Sequence, residues 1–157
     1  MSKARPDEVV VWTDGGARGN PGPAGYGVVV ASPGGEVLAE LAEGIGWATN
    51  NVAEYQGVIA GLRRARELGA RRVRVRADSL LVVNQQKGLW KVKHADLRPL
   101  AEETGRLARG FDRVLWEHVP RERNRRADAL ANRAMDDQGR VEGPARDGLD
   151  PEQLPLT

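Results

Sequence analysis

The period of the apolar positions changes several times along the chain, and each change marks an element. Val9-Val10-Val11-Trp12 is a continuous, largely β-branched apolar run. Such a run predicts a strand buried on both faces, and here it stops at Asp14 with Gly15 and Gly16 behind it. Residues 26–31 and 36–43 read as two more strands, set apart by the Gly- and Pro-dense stretch 17–25 and by the turn Ser32-Pro33-Gly34-Gly35. Turns this short predict an antiparallel meander. Helical spacing then takes over in Val52, Tyr55, Ile59, Leu62, Ala65 and Leu68, between a cap at Asn50 or Asn51 and a stop at Gly69. Strict alternation over 72–78 predicts a strand that, like the first, ends in an aspartate, Asp78. Ser79 caps a short helix, and a helix from about 96 to 109 follows the polar loop 87–95. A last strand over 111–119 ends at Pro120, and Asn124 caps a helix whose Ala127, Leu130, Ala131, Ala134 and Met135 form one apolar stripe. The order β-β-β-α-β-α-α-β-α predicts an α/β domain, a mixed five-stranded sheet with helices packed on it.

Composition changes that picture little. The 157 residues suit one domain, with an arm over 1–7, the folded part over 8–137 and a Gly/Pro-rich acidic tail, extended or disordered, over 138–157. There is no cysteine, and no run of apolar residues is long enough for a signal peptide core or a bilayer span. A soluble, cytoplasmic monomer is expected. Charge is more informative, because residues 1–135 carry 22 Lys+Arg against 16 Asp+Glu while the rest of the chain is acidic. A basic body suits an anionic polymer as partner, and equally an arginine-rich solvated surface.

Four acids fall where elements begin or end: Asp14 and Asp78 close strands, and Glu54 and Asp128 lie in the first turns of the first and last helices. Parallel neighbouring strands would bring Asp14 and Asp78 out at one edge of the sheet, where α/β folds place ligands. Each acid has a plainer reading. Glu54 stands three residues after Asn51 and can close a capping box; Asp128 can complement a helix dipole; Asp78 can be a turn residue paired with Arg74 or Arg76. Asp14, followed by two glycines at the end of a buried strand, has no evident structural duty. Four converging carboxylates need cations among them, and hard oxygen ligands select Mg²⁺ or Mn²⁺.

Motifs in matching order carry a family resemblance: Thr13-Asp14-Gly15-Gly16 with Gly19-Asn20-Pro21-Gly22, then Thr49-Asn50-Asn51-Val52-Ala53-Glu54, Asp78-Ser79, and Asn124-Arg125-Arg126-Ala127-Asp128. Over roughly 8–137 the chain resembles type 1 ribonuclease H. The resemblance implies a five-stranded ribonuclease H fold, cleavage of the RNA strand of RNA–DNA hybrids, and metal-ligand roles for Asp14, Glu54, Asp78 and Asp128. Two Mg²⁺ ions about 4 Å apart suit in-line phosphodiester hydrolysis that leaves 5′-phosphate and 3′-hydroxyl ends, with Asp14 between them.

Hybrid-contacting positions carried over by the resemblance are Gly15, Asn20, Asn50, Asn51 and Asn124, with Thr49 at a DNA-strand phosphate. Asn20 can equally be a turn residue, and Asn51 and Asn124 helix caps. Trp90, Lys91 and Lys93 join an aromatic to two of only four lysines, a combination suited to backbone contacts. The chain departs from familiar members of the family in two places. The loop after the short helix lacks room for an extra basic protrusion, and the catalytic loop histidine is replaced by Pro120-Arg121-Glu122-Arg123, with His118 inside the last strand. Arg121 is the candidate for a fixed cation at the reacting phosphate, since a guanidinium does not deprotonate. Rival readings are a nuclease of the same fold acting on double-stranded RNA or junction DNA, a hybrid-binding module without catalysis, and a small metal-dependent phosphatase.

Overall fold

A computed structural model describes residues 7–144. Six strands and four helices follow in chain order: β1 Glu8–Ala17, β2 Gly22–Ala31, β3 Val37–Ala48, α1 Asn50–Glu67, β4 Arg72–Ala77, α2 Leu80–Gln86, α3 Arg98–Arg109, β5 Arg113–His118, α4 Arg125–Asp137 and β6 Arg140–Pro144. One mixed sheet in the order β5-β4-β1-β2-β3-β6 holds all the strands. The meander β1-β2-β3 is antiparallel, and β4 and β5 are added in parallel on the other side of β1. β1 is therefore central, as its unbroken apolar run predicts.

Helices cover the two faces unequally. Val9 and Val11 of β1, with Tyr26, Val28 and Val30 of β2, share the main core with Tyr55, Val58, Ile59 and Leu62 of α1. On the opposite face Val29, Val37 and Ala42 meet Leu130 and Ala134 of α4. α4 sits directly on β2, where a Cβ added to Gly27 would lie 2.4 Å from the Ala127 carbonyl oxygen. A buried ion pair fixes the start of α4 over β3, with Arg126 Nη2 2.5 Å from Glu40 Oε2 and both side chains almost out of solvent.

Several expected boundaries shift. The sheet has six strands rather than five, because residues 140–144, placed by sequence in the tail, pair antiparallel with β3; the rest of the tail lies outside the described residues. β1 runs on through Gly15, Gly16 and Ala17 in register with β2, so the loop expected over 17–25 narrows to a turn over 18–21 that contains a cis Asn20–Pro21 bond. The α1 cap is Thr49, whose hydroxyl accepts from the Val52 N–H, rather than Asn50 or Asn51. α3 starts at Arg98, and β5 is shorter at both ends than 111–119. Asn124 precedes α4 but makes no side-chain cap hydrogen bond.

Removing one partner of a buried ion pair strands the other charge. Arg126→Ala should therefore destabilise the fold by about 3 kcal/mol and lower the melting temperature by roughly 10 °C. The double replacement Arg126→Met with Glu40→Leu should recover most of the loss, as thermal melts followed by circular dichroism will show.

Candidate active site

The parallel register of β1 and β4 pairs Thr13 with Ala77, so the next residue of each strand, Asp14 and Asp78, emerges at the same edge. α1 begins beside that edge and adds Glu54. One oxygen from each of these three carboxylates lies within 4.8 Å of the other two. Asp128 comes from the first turn of α4. All four acids line one open groove of about 440 Å³ between the N-terminal ends of α1 and α4.

Local contacts explain why Glu54 reaches the edge. Its Oε1 accepts from the Gly15 N–H at 2.9 Å, and α1 approaches β1 so closely there that a Cβ on residue 15 would lie 2.5 Å from the Ala53 carbonyl. Only glycine fits. This contact also removes the capping-box reading, since the α1 cap is Thr49 and Glu54 binds β1 instead. Glu54 Oε2 is buried with no hydrogen-bond partner. Nor does Asp78 have its expected arginines, because Arg74 and Arg76 are engaged by Glu8 and Glu117.

Such a cluster is electrostatically frustrated. Burial is the main cause that raises the Asp14 pKa, helped by repulsion from Glu54 and Asp78. Burial and then Asp78 likewise raise Glu54. A divalent cation reverses this logic by favouring the charged carboxylates. Close hard oxygens, a deeply held acid pair and the orphan Glu54 Oε2 together form a set that fits one.

The remaining expected residues divide. Asn51 and Gly15 line the groove, as does Asn50, whose Oδ1 accepts from Ala17 N–H at 2.7 Å. Asn20 is exposed, and its Oδ1 accepts from the Asn50 N–H at 3.0 Å, so the 18–21 turn is tied to the start of α1. Thr49 supplies the cap. Asn124 is corrected: it is 2% exposed and its amide donates to the Thr13 carbonyl at 2.8 Å, so it steadies the residue before Asp14 rather than facing the groove. Arg121 lines the groove with its Nη2 3.3 Å from Asp128 Oδ1. His118 is the exposed last residue of β5, paired in register with Ala77. Trp90, Lys91 and Lys93 are exposed between α2 and α3 and do not line the groove.

Two lining residues escaped the sequence pattern. Arg18 pairs with Asp136 at 2.9 Å and donates to Asn132 Oδ1, and Asn132 in turn donates to Asp128 Oδ2 at 3.3 Å. Nothing in their local sequence signals a relay that joins the 18–21 turn to α4 across more than 110 positions.

Residues 12–134 match the family model described as reverse transcriptase-like. Over 133 residues the chain is 46% identical to ribonuclease HI of Halobacterium salinarum, a match covering 85% of this chain and 67% of that protein. The chain belongs to the ribonuclease H family. Another ribonuclease H relative by sequence is the bifunctional protein Rv2228c of Mycobacterium tuberculosis, 57% identical over 130 residues. That match covers 82% of this chain but only 36% of the relative, so the chain spans about a third of its length. Among solved structures, LC11-RNase H1 in complex with an RNA/DNA hybrid superposes with a TM-score of 0.78 at 41% identity, covering 82% of this chain and 96% of that one.

In the metal-free protein the folded state holds the Asp14 proton to higher pH than the unfolded chain does. The contribution of Asp14 to stability is therefore largest below the unfolded carboxylate pKa near 4 and falls as pH rises above it. Asp14→Asn should flatten that slope and stabilise the chelator-treated protein by about 1–2 kcal/mol at neutral pH, a few degrees in melting temperature. Mg²⁺ should stabilise the wild type more than the variant. Melts across pH 4–8 with and without Mg²⁺ will check both.

Proposed function

We propose that the protein is an endoribonuclease that hydrolyses the RNA strand of RNA–DNA hybrids, leaving 5′-phosphate and 3′-hydroxyl ends. The observation that carries this reading is the Asp14, Glu54 and Asp78 cluster, with ligand oxygens within 4.8 Å of one another at an open groove. A site for a small phosphate ester would enclose its ligand, whereas this groove is open to solvent. The sequence relatives and the hybrid-bound LC11 structure support the substrate class.

Asp14, Glu54, Asp78 and Asp128 would hold two Mg²⁺ ions, replaceable by Mn²⁺. Bound there, such ions would supply activation of a water and stabilisation of the leaving 3′ oxygen. Glu54 Oε2, free of hydrogen bonds, is available to an ion or to a ribose 2′-hydroxyl, the group that marks RNA. Asn51, exposed at the rim, offers its amide to sugar and base edges in a wide minor groove. Arg121, exposed beside Asp128, contributes a fixed positive charge to the reacting phosphate. Trp90, Lys91 and Lys93 form a second, outlying contact with the backbone of the duplex.

Cleavage of an end-labelled hybrid beside duplex RNA, junction DNA and a chromogenic phosphate ester tests the reading. Metal-dependent loss of the hybrid RNA alone is expected; a bound but uncut hybrid with both Mg²⁺ and Mn²⁺ would make the protein a binding module. Replacing any one of the four acids by its amide should cut kcat by ~10²-fold or more while hybrid affinity stays within about threefold. Arg121→Ala should lower kcat by at least ~10-fold, with His118→Ala near wild type between pH 6 and 7.5. The opposite ranking of those two variants would assign the role to His118.

A further inference from the structure

Trp47 is the most exposed large hydrophobic side chain among the described residues, at 75%, and it makes no hydrogen bond or ring contact there. Its direction is set by an irregularity in the sheet. β2 and β3 pair one to one from Glu43 with Tyr26 to Gly44 with Gly25, and pairing resumes at Gly46 with Ala24, so Ile45 is one residue too many on β3. Such a bulge reverses which face the following residues present. Trp47 is thereby moved into register with Pro23, on the face that carries Gly25 and Gly44 and on which α4 lies. Without the extra residue it would share the face of Glu43 and Tyr26, toward α1.

Asp14 belongs to that same α4-side face, since it pairs with Gly27, against which Ala127 and Leu130 of α4 sit. The bulge is also held in place. Gln138, in left-handed conformation at the end of α4, accepts from the Gly46 N–H at 2.8 Å and donates to the Ala24 carbonyl at 2.9 Å, clasping both strands at the irregular point. The preceding turn of α4 carries Asp136, which fixes groove-lining Arg18. Trp47 stands three residues before Asn50, another groove residue, a spacing of roughly 10 Å along an extended chain.

We propose that Trp47, with its exposed cross-strand neighbour Pro23, is a further binding residue that packs on the sugar–phosphate edge of the hybrid several nucleotides from the cleaved bond. A flat aromatic ring offers large contact area at little entropic cost, and its unpaired indole N–H can donate to a phosphate oxygen. Gln138 is then a positioning residue that acts through the bulge. The inference rests on the hybrid-hydrolase reading and deepens it by extending the footprint beyond the groove.

The test compares wild type, Trp47→Ala and Trp47→Phe on a long hybrid and on hybrids trimmed pair by pair from the side facing residue 47. On the long hybrid Trp47→Ala should raise KM about tenfold with kcat within twofold, and Trp47→Phe should restore most of the loss. The penalty should vanish once the duplex no longer reaches residue 47. A KM unchanged by Trp47→Ala, or a penalty that persists undiminished on trimmed hybrids, overturns the inference while wild-type cleavage keeps the hydrolase reading standing. A wild type that neither binds nor cuts the hybrid overturns both.

Discussion

The parallel pairing of β1 with β4 is the constraint on which the site depends. Because Thr13 and Ala77 are opposite each other, Asp14 and Asp78 can only leave the sheet side by side. Everything else converges on that pair. α1 delivers Glu54 by resting against Gly15, and α4 delivers Asp128 from an N-terminus anchored twice, by Asn124 to the Thr13 carbonyl and by Arg126 to Glu40. A one-residue slip between the two parallel strands would turn one aspartate to the opposite face. The large buried core against α1 and the second one beneath α4 hold the register in place.

The assembled acids work against the fold that gathers them. Burial and mutual repulsion both favour protonated Asp14 and Glu54, while binding a divalent ion requires them charged. Folding energy drawn from the two cores thus sustains an arrangement that is unfavourable until a cation is present. Sites of this kind are common at functional centres, where local strain is tolerated because the surroundings over-determine the geometry. The orphan Glu54 Oε2 is the clearest local sign of it.

Much of this was legible in the residues. Apolar runs that stop at Asp14 and at Asp78 mark strand ends, and the switch to helical spacing after Asn51 marks the element that carries Glu54. What escaped was decided by contacts distant in sequence. Asn124 has the residue type of a cap, yet its partner is a carbonyl 111 positions away. Arg18 and Asn132 meet only because the 18–21 turn folds back on α4. β6 is short and holds Gly and Pro, so its strand character comes from the open edge of β3 beside it, not from its own propensity. The extra residue at Ile45 leaves no trace in a stretch whose alternation is already interrupted by Gly44 and Gly46.

β6 runs from its pairing of Arg140 with Glu43 to that of Pro144 with Ala39, which is away from the β3 end that leads into α1. Glu8, which opens β1, lies at that same far end of the sheet, opposite Asp14. Where the described residues end, the backbone is therefore heading away from the edge that carries Asp14 and Asp78 in both directions.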